Sequence, residues 1–186
     1  MIAARPIALV VLPGSLAWKA VLVLAGSALI ALAAQVRFPL PFSPVPVTGQ
    51  TFAVLLVAAA LGRLGLASVI AYLVEGAIGL PVFAGGGFGV ATIVGPTGGY
   101  LIGFALAAAL VGSAAERGWD RSFISALAAM AIGEVAIYAC GLAWLARFAL
   151  PVPLLSAGLV PFIPGDLFKM MLAAFALPAA WRLVRR

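Results

Sequence analysis

Uninterrupted apolar runs, each closed by a short cluster of charge, glycine or proline, set the organisation of this chain. Runs near 20 residues long are read as membrane-crossing helices. The first extends from about Leu16 to Val36 and is closed by Arg37 and the turn-rich Phe38 to Val47. The second covers about Thr48 to Leu61, and the third about Leu66 to Leu80, after the polar interruption Gly62-Arg63-Leu64-Gly65. Pro81 then opens a glycine-rich segment reaching Gly89, too flexible for a regular helix. The fourth run, about Gly98 to Ala114, starts after Gly95-Pro96-Thr97, and a charged loop with Glu116, Arg117, Asp120 and Arg121 leads to the fifth, about Ser122 to Phe148. A proline-rich stretch from Pro151 to Pro164 precedes the sixth, about Gly165 to Leu183. The second and third runs are shorter than a straight crossing needs, so they are expected to tilt or to lie partly inside the bundle. The expected fold class is an all-α membrane protein, a bundle of six transmembrane helices forming one domain over residues 16–186. Residues 1–15, with Arg5 and an apolar run broken at Pro13, are expected to form an N-terminal cytoplasmic or interfacial extension rather than a cleaved leader.

Composition excludes a soluble reading. Hydrophobic residues make up 66% of the chain and charged residues 9%, against roughly 25% charged in a soluble domain. The net charge of +6 would suggest nucleic acid in a soluble protein, but here the basic residues stand between the apolar runs and at the end. They are topology signal, and no nucleic-acid partner is expected. Arg5, Arg63, Arg117, Arg121, Arg182, Arg185 and Arg186 fall on one side of the six runs, with Arg37 and Arg147 on the other. That asymmetry predicts two cytoplasmic termini and outward-facing glycine- and proline-rich loops. Cys140 is the single cysteine and histidine is absent, so an intramolecular disulfide, a thiolate metal cage and a histidine general base are excluded. No metal or cofactor is expected. An intramembrane enzyme using Glu134, Asp166 and Lys169 would need a serine elbow, a histidine or a metal cluster, and nothing supports one.

The residues that break the apolar pattern carry the chemistry. An ionisable group inside a span costs about 2.5–3.5 kcal/mol on insertion scales and is a functional candidate by default; Glu75, Glu134, Asp166 and Lys169 qualify. Asp166 and Lys169 are three apart, so they share one helical face, where they can neutralise each other or grip an amphiphilic ligand. Asp166 also follows Pro164-Gly165, where a helix cap is expected. Lys169 is expected to be a counter-charge to a carboxylated solute, the alternative being snorkelling to the interface. Glu134 is read equally as a ligand contact or as a structural partner of Lys169 or of a hydroxyl on a neighbouring helix, Glu75 as a buried hydrogen-bonded or protonated carboxyl rather than a ligand contact, and Lys19 as an interface anchor. Gly85, Gly86, Gly87 and Gly89 would let backbone approach a ligand closely, and Phe83, Phe88, Tyr100, Tyr138 and Trp144 could wall its pocket. Ala20, Ser27, Ala31 and Ala34 form a small-residue stripe on the first run that either holds the bundle together or docks another membrane subunit.

Four blocks occur in an order that resembles the BioY family: Pro44-Val45-Pro46-Val47-Thr48-Gly49-Gln50-Thr51, Gly79-Leu80-Pro81-Val82-Phe83-Ala84-Gly85-Gly86, Gly95-Pro96-Thr97-Gly98-Gly99-Tyr100-Leu101-Ile102-Gly103-Phe104, and Pro161-Phe162-Ile163-Pro164-Gly165-Asp166-Leu167-Phe168-Lys169. The resemblance covers nearly the whole chain from about Leu16 and implies a biotin-binding S component of an energy-coupling-factor (ECF) transporter. It implies six membrane helices, an outward pocket closed by the loops after the first and third spans, and a bacterial or archaeal cytoplasmic membrane. It also implies partnership with a membrane-embedded coupling subunit and two cytoplasmic ATPases. The resemblance places Asp166 and Lys169 in the biotin site, with Lys169 on the valerate carboxylate and Asp166 as a polar contact or as the residue holding Lys169. The ureido ring would then meet Gln50, Glu134 or Tyr138 and the backbone of Gly85 to Gly87. A solitary biotin carrier without ATPases is the alternative within the same class.

Overall fold

The computed structural model describes residues 6–11 and 15–184; Met1, Arg5, Pro13, Arg185 and Arg186, which enter the extension and topology readings above, lie outside them. A short helix α1 (Ile7–Val11) packs against the bundle, so the N-terminal extension contributes structure there. The chain continues through α2 (Leu16–Gln35), strands β1 (Arg37–Leu40) and β2 (Ser43–Thr48), α3 (Gln50–Leu61), α4 (Arg63–Ala77), α5 (Val90–Val94), α6 (Gly98–Ala115), α7 (Phe123–Leu145), α8 (Leu154–Gly158) and α9 (Ile163–Val184). Four of these, α2, α6, α7 and α9, are long and apolar enough to cross a membrane. The two shorter ones, α3 and α4, match the short second and third apolar runs.

Gly62 alone separates α3 from α4. Its φ of 61° and ψ of −128° lie where a side chain is strained, and its single residue folds the two helices back on each other. The helical pattern therefore resumes at Arg63, and the polar interruption expected over four residues is one residue long. The stretch from Phe38 to Val47 is a β-hairpin rather than irregular turn: Arg37 pairs with Thr48 and Phe38 with Val47, with a register break between Phe38 and Leu40. Pro39 stands at that break, where a residue without an N–H does least harm to a ladder. The proline-rich stretch after α7 likewise contains α8, and α9 begins at Ile163, so Asp166 lies in its first turn and not at its cap.

Small residues set how closely the helices approach. A Cβ on Gly103 would stand 2.8 Å from the Ile137 Cα and 3.0 Å from its carbonyl oxygen, so α6 and α7 meet backbone to backbone there. Gly65 meets Ala58 of α3 in the same way, with 2.5 Å to its Cα. The core runs through the middle of the bundle with Val54, Leu55, Val111, Met130 and Ile137 buried, while Leu24, Leu32, Val135, Phe168 and Phe175 stay exposed on the outside. Helices apolar on every side are those of a membrane span. Gly103→Val should lower the midpoint of thermal unfolding in detergent, because backbone cannot yield as a flexible side chain does; overpacking costs typically about 1–3 kcal/mol. An unchanged midpoint in a thermal melt would show that the contact is looser than described.

The stripe of Ala20, Ser27, Ala31 and Ala34 faces inward for most of its length. Ser27 and Ala34 are fully buried, and Ser27 donates to Glu75 Oε2 of α4 at 2.5 Å. Gly26 beside it has no room for a Cβ against Ser68. The stripe is thus internal packing between α2 and α4; of the four, Ala20 alone is exposed. Glu75 is hydrogen-bonded, as its position before Gly76 suggested.

Candidate functional site

The ends of the helices separate the molecule into two poles. At one, Gly62, Arg63 and Glu116 meet, with Arg63 Nε 3.1 Å from Glu116 Oε2. At the other, the β-hairpin, the segment after α4 and the first turn of α9 enclose a cavity of about 230 Å³. The cavity floor is formed by Thr48, Gln50, Thr51, Tyr138, Asp166 and Lys169, and its apolar wall by Phe83, Tyr100, Leu101, Phe104 and Phe162. Arg37, Pro44, Val45 and Pro46 of the hairpin, with Ala84, Thr92 and Thr97, complete the lining.

The charged pair stands where the spacing of three places it. Lys169 Nζ lies 2.9 Å from Asp166 Oδ1. The ammonium also donates to the Thr48 carbonyl at 2.7 Å and to Thr51 Oγ1 at 3.2 Å, so each of its three hydrogens has a protein acceptor. Asp166 accepts from Thr51 Oγ1 at 3.0 Å and, on Oδ2, from the Tyr138 hydroxyl. Asp166 is buried, and a buried carboxylate is tolerable only with such a complete set of donors and a cation. Four elements, β2, α3, α7 and α9, are therefore tied together at one polar knot.

A second network supports the wall. Gln50 Nε2 donates to the Tyr72 hydroxyl at 2.5 Å, and Gln50 Oε1 accepts from Thr48 Oγ1 at 3.1 Å. Tyr72 meets Phe83 edge to face, with ring centroids 5.4 Å apart at 83°. Phe83 reaches that position because Gly76 leaves room: a Cβ there would lie 2.0 Å from Phe83 Cζ. The Tyr100 hydroxyl is fixed by the Gly158 carbonyl at 2.7 Å.

Arg37 is a lining residue that sequence reasoning used only as a loop charge. Strand pairing puts it opposite Thr48, whose carbonyl holds Lys169. Its guanidinium lies flat against Gly85, so close that a Cβ there would stand 2.1 Å from Cζ, and Gly85 has a φ of 68°. Among the described residues Arg37 has no ion-pair partner. Gly85, Gly86 and Gly87 themselves do not line the cavity; the glycine segment instead carries Phe83 and Ala84 to it and makes room for Arg37. Glu134 also lies behind the lining, buried, with neither carboxyl oxygen hydrogen-bonded. It is not brought into contact with the cavity, nor paired with Lys169. Phe88 and Trp144 are outside the lining as well, Trp144 donating to the Gly95 carbonyl at 2.9 Å. Of the expected ligand contacts, Lys169, Asp166, Gln50, Phe83, Tyr100 and Tyr138 converge on the cavity.

Gln35, at the last turn of α2, holds the segment that carries Phe83. Its Nε2 lies 3.4 Å from the Val82 carbonyl and 3.3 Å from the Phe83 carbonyl, and its Oε1 accepts from the Gly86 N–H at 3.0 Å. Gln35→Ala is expected to loosen that wall and speed ligand release about 5- to 30-fold, the equivalent of about 1–2 kcal/mol for the lost bonds. Stopped-flow displacement measures it; an unchanged off-rate would show that the segment is held without Gln35.

Comparison with known proteins bears on what fills the cavity. The family model described as the BioY family matches residues 8–186. The chain is 43% identical over 150 residues to the "Biotin transporter BioY" of Thermotoga maritima, covering 80% of this chain and 86% of that one. It is 41% identical over 157 residues to the "Probable biotin transporter BioY" of Pyrococcus horikoshii, covering 84% and 90%. Among solved structures, the S-component for biotin from an ECF-type ABC transporter superposes with a TM-score of 0.76 at 28% identity, over 91% of this chain and 92% of that one.

Proposed function

This chain belongs to the BioY family, and we propose that its cavity is a biotin site laid out between the Asp166–Lys169 knot and Arg37. It is a multi-pass membrane protein of biotin uptake, an S component rather than an enzyme. The observation that carries the layout is chemical. The cavity lining offers a carboxylate acceptor beside an ammonium and hydroxyls, and also a guanidinium with no ion-pair partner among the described residues. A ureido ring presents two N–H donors and a carbonyl acceptor; Asp166 can accept from an N–H, and a Lys169 or hydroxyl hydrogen released from its internal acceptor can meet the carbonyl.

The apolar wall of Phe83, Tyr100, Leu101, Phe104 and Phe162 suits the sulfur ring and the methylene chain. The valerate carboxylate then falls to Arg37, whose planar fork binds a carboxylate with two bonds. Lys169 is already paired with Asp166, whereas Arg37 has no ion-pair partner among the described residues, so the carboxylate is given to Arg37 and the ureido end to the Asp166–Lys169 pair.

The fold is read as six crossings, with α3 and α4 as the two short ones and residues 16–186 as a single domain. The basic residues Arg63, Arg117, Arg121 and Arg182 gather at the pole remote from the cavity, which supports a cytoplasmic placement for that pole and an outward-facing cavity. The setting is the cytoplasmic membrane of a bacterium or archaeon. A coupling subunit and two ATPases are the proposed partners, since this chain has no nucleotide-binding motif and no cofactor is invoked.

Uptake of labelled biotin by transport-deficient cells expressing the chain alone, or with those partners, tests this reading. Strong stimulation by the partners is expected; equal uptake without them would make the chain a solitary carrier.

A further inference from the structure

The pole remote from the biotin cavity carries a second concavity, of about 420 Å³, between the start of α7 and the last turns of α9. Arg121 and Arg182, from just before α7 and the last turns of α9, both line it. Between them lie Phe123, Phe175 and Pro178, with the rings of Phe123 and Phe175 4.4 Å apart. Arg121 is held in place from behind: its guanidinium stacks 4.7 Å from the centre of the Trp181 ring. Asp120, the nearest acid in sequence, is buried, with Trp181 Nε1 2.5 Å from its Oδ2. Two like charges lining one groove repel each other until an anion lies between them.

We propose that this groove is a headgroup site for an anionic phospholipid, with Arg121 and Arg182 on the phosphate and Phe123, Phe175 and Pro178 beneath the glycerol. Lipid is favoured over an acidic protein segment because the apolar floor does not end at the groove. Phe175, Leu172, Met171 and Phe168 continue along α9 as exposed side chains, a track for an acyl chain running toward the middle of the span. Basic pockets between helices at the cytoplasmic side are suited to lipid phosphates, and the two guanidiniums can each donate a pair of bonds to one phosphate.

The full chain, reconstituted in nanodiscs of equal phosphatidylglycerol and phosphatidylcholine and released for native mass spectrometry, tests this. Phosphatidylglycerol should be retained about tenfold over phosphatidylcholine. The Arg121→Gln/Arg182→Gln double variant should lose that preference while its biotin affinity stays unchanged, and Arg121→Lys/Arg182→Lys should keep part of it. Arg117→Gln, at the same pole but outside the groove, should keep all of it. Equal retention of the two lipids by the unmodified protein would overturn the proposal, as would an equal loss in Arg117→Gln, which would mean a diffuse basic belt. Displacement of the lipid by inorganic phosphate at modest concentration would also overturn it, by showing a free-anion site. A double variant that keeps lipid selectivity but no longer assembles with a coupling subunit would make the groove a protein contact instead.

Discussion

Asp166→Ala is expected to reduce biotin affinity at least about hundredfold, the largest single effect in the cavity. Asp166 takes hydrogen bonds from Thr51 and Tyr138 and pairs with Lys169. Its removal leaves the Lys169 ammonium largely buried with one partner fewer, and breaking a buried pair costs about 3–5 kcal/mol. In the proposed layout a ureido N–H would also lose its acceptor. Because the same knot ties β2, α3, α7 and α9, part of the loss should appear as lowered thermal stability. Asp166→Asn, which keeps the shape and one acceptor but not the charge, separates the two: stability should recover more than affinity. Titration calorimetry and a thermal melt on each variant measure this, and an Asp166→Ala protein that binds biotin as the parent does would remove the knot from the site.

The second large effect concerns Arg37. Arg37→Gln should weaken biotin about 10- to 100-fold, since hydrogen bonds to a charged group are worth about 1.5–3 kcal/mol. The diagnostic is selectivity rather than affinity alone. The unmodified protein should prefer biotin over biotin amide, whose side chain ends in an uncharged group, and Arg37→Gln should bind the two about equally. Should Lys169 hold the carboxylate instead, Arg37→Gln would retain the preference and Lys169→Met would lose it. The measurement therefore discriminates between the carboxylate role expected from family resemblance and the one that the geometry supports.

The contrast between these two residues shows what a sequence of this kind makes legible. An Asp and a Lys one turn apart inside an apolar run stand out because the bilayer penalises them, and the structure places them together at 2.9 Å. The long helices were legible for the same reason. Arg37 gave no such signal: an arginine just after a span looks like any topology charge, and only the pairing of Arg37 with Thr48 turns it toward the cavity. Four prolines, Pro39, Pro41, Pro44 and Pro46, hid the hairpin behind the appearance of a turn. What two of the glycines do for packing was not legible: Gly85 admits the Arg37 side chain and Gly76 admits Phe83. Glu134 was visible as a charge in a span, but its position behind the lining depends on how α7 is rotated, which the nearly uniform hydrophobicity of that helix does not encode. Thr48 and Thr51 became site residues only when α9 packed beside them.

Equilibrium binding of labelled biotin to the purified chain, with no coupling subunit or ATPase present, tests the central claim most directly. One molecule per chain, saturable and displaced by unlabelled biotin but far less by biotin amide, is the predicted result. Absence of saturable binding, or displacement by the amide as readily as by the acid, would contradict it.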